Sequence, residues 1–140
     1  MKVKVVENDQ ELQDAYKVRM DVFVEEQKVP PEIEIDEFEQ ESTHVVIYEK
    51  GKPIATGRIR EADGYGKLER ICVLKSHRKF GLGKMIMDEL ESVGRKMELK
   101  QFKLNAQTQA ESFYQKQGYK TVSGEFLDAN IPHVTMVKNK

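Results

Sequence analysis

Val73-Leu74-Lys75-Ser76-His77-Arg78-Lys79-Phe80-Gly81-Leu82-Gly83-Lys84 is the stretch that decides the fold. An apolar strand ends at Val73, a basic turn follows, and two glycines stand at the mouth of a long amphipathic pattern. Leu82, Met85, Ile86, Leu90, Val93 and Met97 recur at helical spacing, which predicts a helix directly after the turn. The first N–H groups of a helix have no partners within it, and its dipole adds partial positive charge there. Glycines let backbone approach a ligand without a Cβ in the way. Arg78, Lys79 and Lys84 add full charges, so the turn suits a phosphate or pyrophosphate. It has neither the Gly-x-x-x-x-Gly-Lys-Ser/Thr spacing of a nucleotide-hydrolysing loop nor a Gly-x-Gly-x-x-Gly fingerprint.

Working outward, the preceding segments read as an antiparallel meander. Thr43–Tyr48 is β-branched and aromatic, Ile54–Arg60 alternates loosely, and Asp63-Gly64 is a hairpin signal. Lys67–Val73 alternates Leu68, Arg70 and Cys72 against Glu69, Ile71 and Val73. Upstream, Val3–Val6 predicts a short strand, and Asn8 with Glu11 a capped helix start. That helix carries a stripe of Leu12, Ala15, Tyr16, Arg19, Val22 and Phe23, with Arg19 its one polar interruption, and Pro30-Pro31 ends it. Downstream, Phe102–Ala106 predicts a strand. Thr108 with Glu111 resembles a capping box for a helix through Tyr114, with Gly118 ending it. Lys120–Val122 and His133–Val137 read as closing strands. The pattern is a single α/β domain over residues 1–140: a mixed, mostly antiparallel sheet with helices on both faces.

Between Pro31 and the meander, residues 32–41 hold six acidic side chains in ten, interleaved with Ile33, Ile35 and Phe38. Two readings are open: a solvated loop anchored by its apolar residues, or a negative rim that attracts a cationic amine.

Composition excludes several classes. A net charge of −1 offers no broad polyanion surface, so nucleic acid is not an expected partner. No apolar run approaches the roughly 20 residues that span a bilayer, and the charged N-terminus is no secretory signal. The expected location is the cytoplasm. The lone cysteine, Cys72, rules out an internal disulfide and argues against a cysteine-based metal site.

Three pieces carry a family resemblance. Arg78-Lys79-Phe80-Gly81-Leu82-Gly83 resembles the Arg/Gln-x-x-Gly-x-Gly/Ala loop of the GNAT superfamily of N-acetyltransferases. Leu68-Glu69-Arg70-Ile71-Cys72-Val73 is similar to that family's fourth strand. Asn105-Ala106-Gln107 with Phe113-Tyr114-Gln115-Lys116-Gln117-Gly118-Tyr119 resembles its later segment. Val22-Phe23-Val24-Glu25-Glu26-Gln27 and Ile131-Pro132-His133 further resemble a small bacterial subgroup, the YjcF type.

The resemblance implies acetyl-CoA as acyl donor, an amine as acceptor, and direct attack on the thioester. It assigns Ile71, Cys72 and Val73 to the pantetheine arm through backbone hydrogen bonds, the way an added strand binds a sheet edge. It assigns Arg78, Lys79, Phe80, Gly81, Leu82, Gly83 and Lys84 to the pyrophosphate, and places Asn105 near the arm. Tyr114 matches the tyrosine that protonates the departing thiolate; spacing alone favours a core tyrosine, and the resemblance reverses that reading. Glu69 is a candidate general base or simply the partner of Arg58, Arg60 or Arg70, and His133 is the alternative base. Cys72, mid-strand with no local base, reads as a small hydrophobe and not a nucleophile. The resemblance places acceptor specificity in residues 22–41 and allows a homodimer. Competing readings are a non-catalytic acyl-CoA-binding or regulatory module and, further off, a general phosphate-binding protein.

Overall fold

A computed structural model describes residues 1–139. The strands are β1 (Lys2–Val5), β2 (Thr43–Glu49), β3 (Lys52–Ala62), β4 (Tyr65–Val73), β5 (Gln101–Gln107), β6 (Lys120–Thr121), β7 (Phe126–Asp128) and β8 (Ile131–Asn139). The helices are α1 (Asp9–Arg19), α2 (Pro31–Glu34), α3 (Leu82–Lys96) and α4 (Glu111–Lys116). The sheet runs β1-β2-β3-β4-β5-β8-β6, with β7 on β8, and only β4 and β5 are parallel. Helices α1 and α3 pack on opposite faces, so the mixed sheet and two-faced layering expected from the pattern are found.

Local chemistry accounts for the main elements. The Asn8 side chain accepts the Glu11 N–H at 2.8 Å and opens α1. Asp63 and Gly64 both have positive φ (51° and 84°) between paired Ala62 and Tyr65, the signature of a two-residue primed turn. Leu82, Ile86, Met87 and Leu90 of α3 are buried against Ile59, Phe102 and Leu104. Each such side chain contributes about 1.5–3 kcal/mol on leaving water. Gly94 sets the approach of α3 to the sheet: a Cβ there would sit 2.5 Å from Phe102 Cε1.

Several expectations need correction. The first helix does not run unbroken to the prolines; after Arg19 it widens into π-helical turns over Met20–Glu26. Met97 lies outside the buried stripe, at 42% exposure. Thr108 does not cap α4. A 3₁₀ turn over Thr108–Ala110 precedes the helix, and Glu111 instead accepts a bond from the Thr121 hydroxyl. Strand β7 was not expected.

The largest correction concerns β4. Its simple alternation breaks at Arg70, which has φ 59° where the register between β3 and β4 shifts. The bulge exchanges the faces: Leu68 before it and Ile71 after it both join the α3 core, whereas Cys72 joins Val18 and Val22 beneath α1.

Candidate active site

Parallel pairing of β4 with β5 lasts three residues, from Gly66 with Phe102 to Leu68 with Leu104, and then stops. Beyond it the strands leave a cleft of about 630 Å³ lined by Glu69–Val73 on one side and Asn105–Gln107 on the other. The π-helical segment supplies Val22 and Phe23 to a third wall, and α4 supplies Phe113 and Tyr114 to a fourth. The volume lies within the usual span for small-molecule sites.

The turn entering α3 stands at one end. Lys79 and Gly81 are left-handed (φ 74° and 76°), and the N–H groups of residues 78–84 make no hydrogen bond among the described residues. Successive N–H groups arranged around left-handed residues form an anion-binding concavity. Of the residues assigned to the donor, Ile71, Cys72, Val73, Arg78, Gly83 and Asn105 line the cleft. The side chains of Lys79, Phe80, Leu82 and Lys84 do not. Phe80 is 66% exposed, Leu82 is buried in the core, and Lys84 pairs with Asp88 at 2.7 Å. Arg78 is engaged as well: its Nη1 and Nη2 meet the Glu26 carboxylate at 2.7 and 2.6 Å, and its Nε donates to the Val73 carbonyl. The anion-binding capacity of this turn therefore lies in its backbone more than in its cations.

Tyr114 is 9% exposed, packs edge-on against Phe113 and Tyr119, and its hydroxyl has no hydrogen-bond partner among the described residues. Burial pushes its phenol up, which keeps it protonated. Gly83 crowds this wall, since a Cβ there would lie 3.0 Å from Phe113 Cζ. Cys72 is buried, and burial, with the Glu34 charge adding to it, pushes its thiol up, the opposite of an activated nucleophile. His133 also lines the cleft; its Nδ1 lies 2.6 Å from the Ile131 carbonyl, which assigns the proton there and leaves Nε2 as the acceptor nitrogen.

Glu69 is held in place. Its Oε1 accepts from Arg58 Nη2 and Arg60 Nε, each at 2.9 Å, and Lys67 Nζ is 3.5 Å from Oε2. Although burial works the other way, the Arg60 hydrogen bond and the Arg58 and Lys67 charges hold its carboxyl below the usual range. That makes it a weak proton acceptor.

Residues 32–41 follow the solvated-loop expectation only in part: Glu32, Glu37 and Glu41 are exposed and Phe38 is a partly buried anchor, but the rest of the stretch is not solvated in that way. Ile33 and Ile35 face solvent, while Glu34 and Glu39 are buried at 3% and 5% exposure. Arg19, fully buried, donates through Nε to Glu34 Oε2 at 3.0 Å and through Nη1 and Nη2 to Glu39 at 2.8 and 2.6 Å. Arg58 forks onto Asp36 at 2.9 and 2.8 Å, and Arg70, turned by its bulge, reaches Glu34 and Asp36. The acidic stretch is folded onto the sheet by four arginines, counting Arg60 over the Phe38 ring. A second unanticipated contact, Gln107 Nε2 to Gln27 Oε1 at 2.7 Å, links β5 to the π-helical wall across 80 residues of chain.

The sequence profile of the acetyltransferase (GNAT) domain matches residues 7–140. The chain is 55% identical over 140 residues to an uncharacterized N-acetyltransferase, YjcF, of Bacillus subtilis (strain 168), covering 99% of this chain and 100% of that one. Its fold is similar to that of an acyl-CoA N-acyltransferase from Pseudomonas aeruginosa (TM-score 0.89, 24% identity, 99% of each chain). It is also similar to an aminoglycoside 6′-N-acetyltransferase solved with coenzyme A (TM-score 0.78, 16% identity, 99% of this chain and 97% of that one). A sheet that opens between its two parallel strands, a turn of unpartnered N–H groups at the opening, and relatives that match from end to end make this chain a member of the GNAT acetyltransferases, which take acyl-CoA as donor.

Proposed function

We propose that the protein transfers the acetyl group of acetyl-CoA to a primary amine by direct attack on the thioester. The observation that carries this reading is the cleft itself. Strand pairing ends after Leu68 and Leu104, and unpartnered N–H groups stand at one end of the opening. The residues fit the donor. Free main chain on Ile71–Val73 suits an extended pantetheine arm, with Asn105 facing it from β5. The N–H groups of residues 78–84 suit a pyrophosphate, with Gly81 and Gly83 keeping the approach clear. Bound there, acetyl-CoA supplies an activated acyl carbon and a thiol leaving group.

The chain's own residues do the rest. The Tyr114 hydroxyl, protonated and without another partner, donates to the departing sulfur. Burial holds the phenol above its ordinary value, so the hydroxyl keeps its proton until a thiolate forms beside it. Cys72 packs the floor and forms no covalent bond. Glu69, fixed by Arg58 and Arg60, orders cleft water and draws a cationic acceptor toward β4 more readily than it removes a proton. A cytoplasmic location, where acetyl-CoA is made and used, suits the reaction.

The test is release of free thiol from acetyl-CoA across a panel of amines, together with calorimetric titration of acetyl-CoA. Saturable donor binding with amine-dependent thiol release is expected. Donor binding with no release by any amine would favour a regulatory acyl-CoA module. No binding at millimolar donor would remove the reading altogether.

A further inference from the structure

One carboxylate in the cleft is neither a surface charge nor a closed ion pair. Glu34, at the end of α2, is 3% exposed yet lines the cleft. Its Oε2 is held from two sides, by Arg19 Nε at 3.0 Å and Arg70 Nε at 3.1 Å, while Arg19 Nη2 also grips its carbonyl at 2.7 Å. Its Oε1 has no hydrogen-bond partner among the described residues. It is not sealed in protein either, because His44 Nδ1 alone among buried side-chain polar atoms is enclosed without a partner. Glu34 forms part of the cleft wall, and Oε1 is its one carboxylate oxygen without a protein partner among the described residues. Glu34, Cys72 and Tyr114 all line this one cavity.

We propose that Glu34 Oε1 is the proton acceptor that readies the incoming amine, a role to which Glu69 is poorly suited. The inference rests on the acetyl-transfer reading above. A general base needs an accessible lone pair, a fixed geometry and a proton affinity matched to the working pH. The geometry meets the first two, with a free oxygen and two arginines locking the other, and burial raises the carboxyl against the pull of Arg70 and Arg19, with Glu39 adding to the rise, which is the direction a base requires. Asp36 shares Arg70, Glu39 shares Arg19, and besides Arg70 and Arg78 the titratable groups lining the cleft with Glu34 are Lys67, Glu69, Cys72, Tyr114, Asp128 and His133.

The step balances as follows. The ammonium gives one proton to Glu34 Oε1, and the freed nitrogen pair forms the N–C bond as the C–S bond breaks. The second nitrogen proton ends on sulfur by way of the Tyr114 hydroxyl, and Glu34 returns its proton to cleft water. Ammonium and thioester become amide, thiol and one released proton.

Two probes separate a base from a structural carboxylate: ethylamine, largely protonated at neutral pH, and 2,2,2-trifluoroethylamine, largely not. In wild-type protein kcat/KM for ethylamine should level off above neutral pH, because the protein removes the proton. Glu34→Gln should lose about 100-fold with ethylamine at pH 7, within the range for general-base removal. Its log rate should then climb with a slope of one toward the amine pKa, while trifluoroethylamine stays within about threefold of wild type and acetyl-CoA binding is unchanged. Equal losses with both probes, or a plateau that survives in Glu34→Gln, would overturn the proposal and leave acetyl transfer standing. Should Glu34→Gln not fold, the wild-type profile decides: a slope-one rise with ethylamine refutes the base. Thiol release by neither probe nor any amine of the panel, from wild-type protein that binds acetyl-CoA, would sink both readings.

Discussion

Replacing Arg19 with Met would test the arginine cluster where it is most enclosed. Met matches the aliphatic stem, so the loss is the guanidinium: its contacts to Glu34 Oε2, the Glu34 carbonyl and both oxygens of Glu39. Two buried carboxylates are left short of a cation. Breaking a buried pair by removing one partner costs about 3–5 kcal/mol. Unfolding entropy of roughly 2.1 cal/mol/K per residue gives about 0.3 kcal/mol/K for a chain of 140 residues, so Tm should fall by about 10–17 °C. The deficit should also depend on pH. Without Arg19 the folded pKa of Glu34, already raised by burial, rises further, and that of Glu39, now held down, rises as well. The penalty is then full above the raised values and fades as pH falls toward the ordinary carboxylate range. Circular dichroism melts at pH 8 and pH 5 should show a smaller gap between variant and wild type at pH 5. A drop of under about 3 °C, or a gap independent of pH, would refute the assignment of Arg19 as the charge that holds residues 34–39 on the sheet.

Three further outcomes follow from the geometry. Tyr114→Phe should cut kcat about tenfold to a hundredfold while leaving Tm and acetyl-CoA affinity nearly unchanged, because the hydroxyl has no protein partner to lose; a large fall in Tm would make the tyrosine structural. Gly81→Val forces a β-branched residue into φ 76° with nothing crowding its Cβ, so the cost of about 1–2 kcal/mol is backbone strain and should show as weakened donor binding in calorimetry. His44, its Nε2 on the Glu39 carbonyl and its Nδ1 unpartnered, is pushed down by burial; the fold favours its neutral form, so its contribution is full above about pH 6.5 and lost as pH falls through the lower folded value. Urea titrations from pH 7 to pH 5 should show that decline, and His44→Leu should flatten it.

What could be read from the chain was what depends on near neighbours. Gly81 and Gly83 beside Arg78 announced the left-handed turn into α3, Asn8 and Glu11 the start of α1, Asp63-Gly64 the hairpin, and Gly118 the end of α4. Each is chemistry within a few residues. The arginine cluster was not legible because its partners arrive from afar: Arg19 and Glu39 are 20 residues apart, and Arg70 and Asp36 are 34. Arg19 stood out as the one polar break in an apolar stripe, a signal that a buried partner existed without saying which. The Arg70 bulge was invisible for another reason. An extra residue preserves the alternating pattern on paper while exchanging the faces in space, so the sides of Ile71 and Cys72 could not be assigned. Thr108 misled because the chain already turns in 3₁₀ fashion at that residue, which puts Ala110 and not Thr108 at the cap position of α4.

The bidentate grip of Glu26 on Arg78 bears on how the donor arrives. A guanidinium already matched by a carboxylate projects little long-range field, and the overall charge of −1 adds none. On the acetyl-transfer reading proposed above, a polyphosphate then gains little steering from Arg78, and capture rests chiefly on short-range N–H dipoles that dissolved ions screen poorly. Donor association should therefore be slow for a charged ligand and change only shallowly with ionic strength, a tolerance that keeps the enzyme's response tied to the acyl-CoA supply when the salt around it varies.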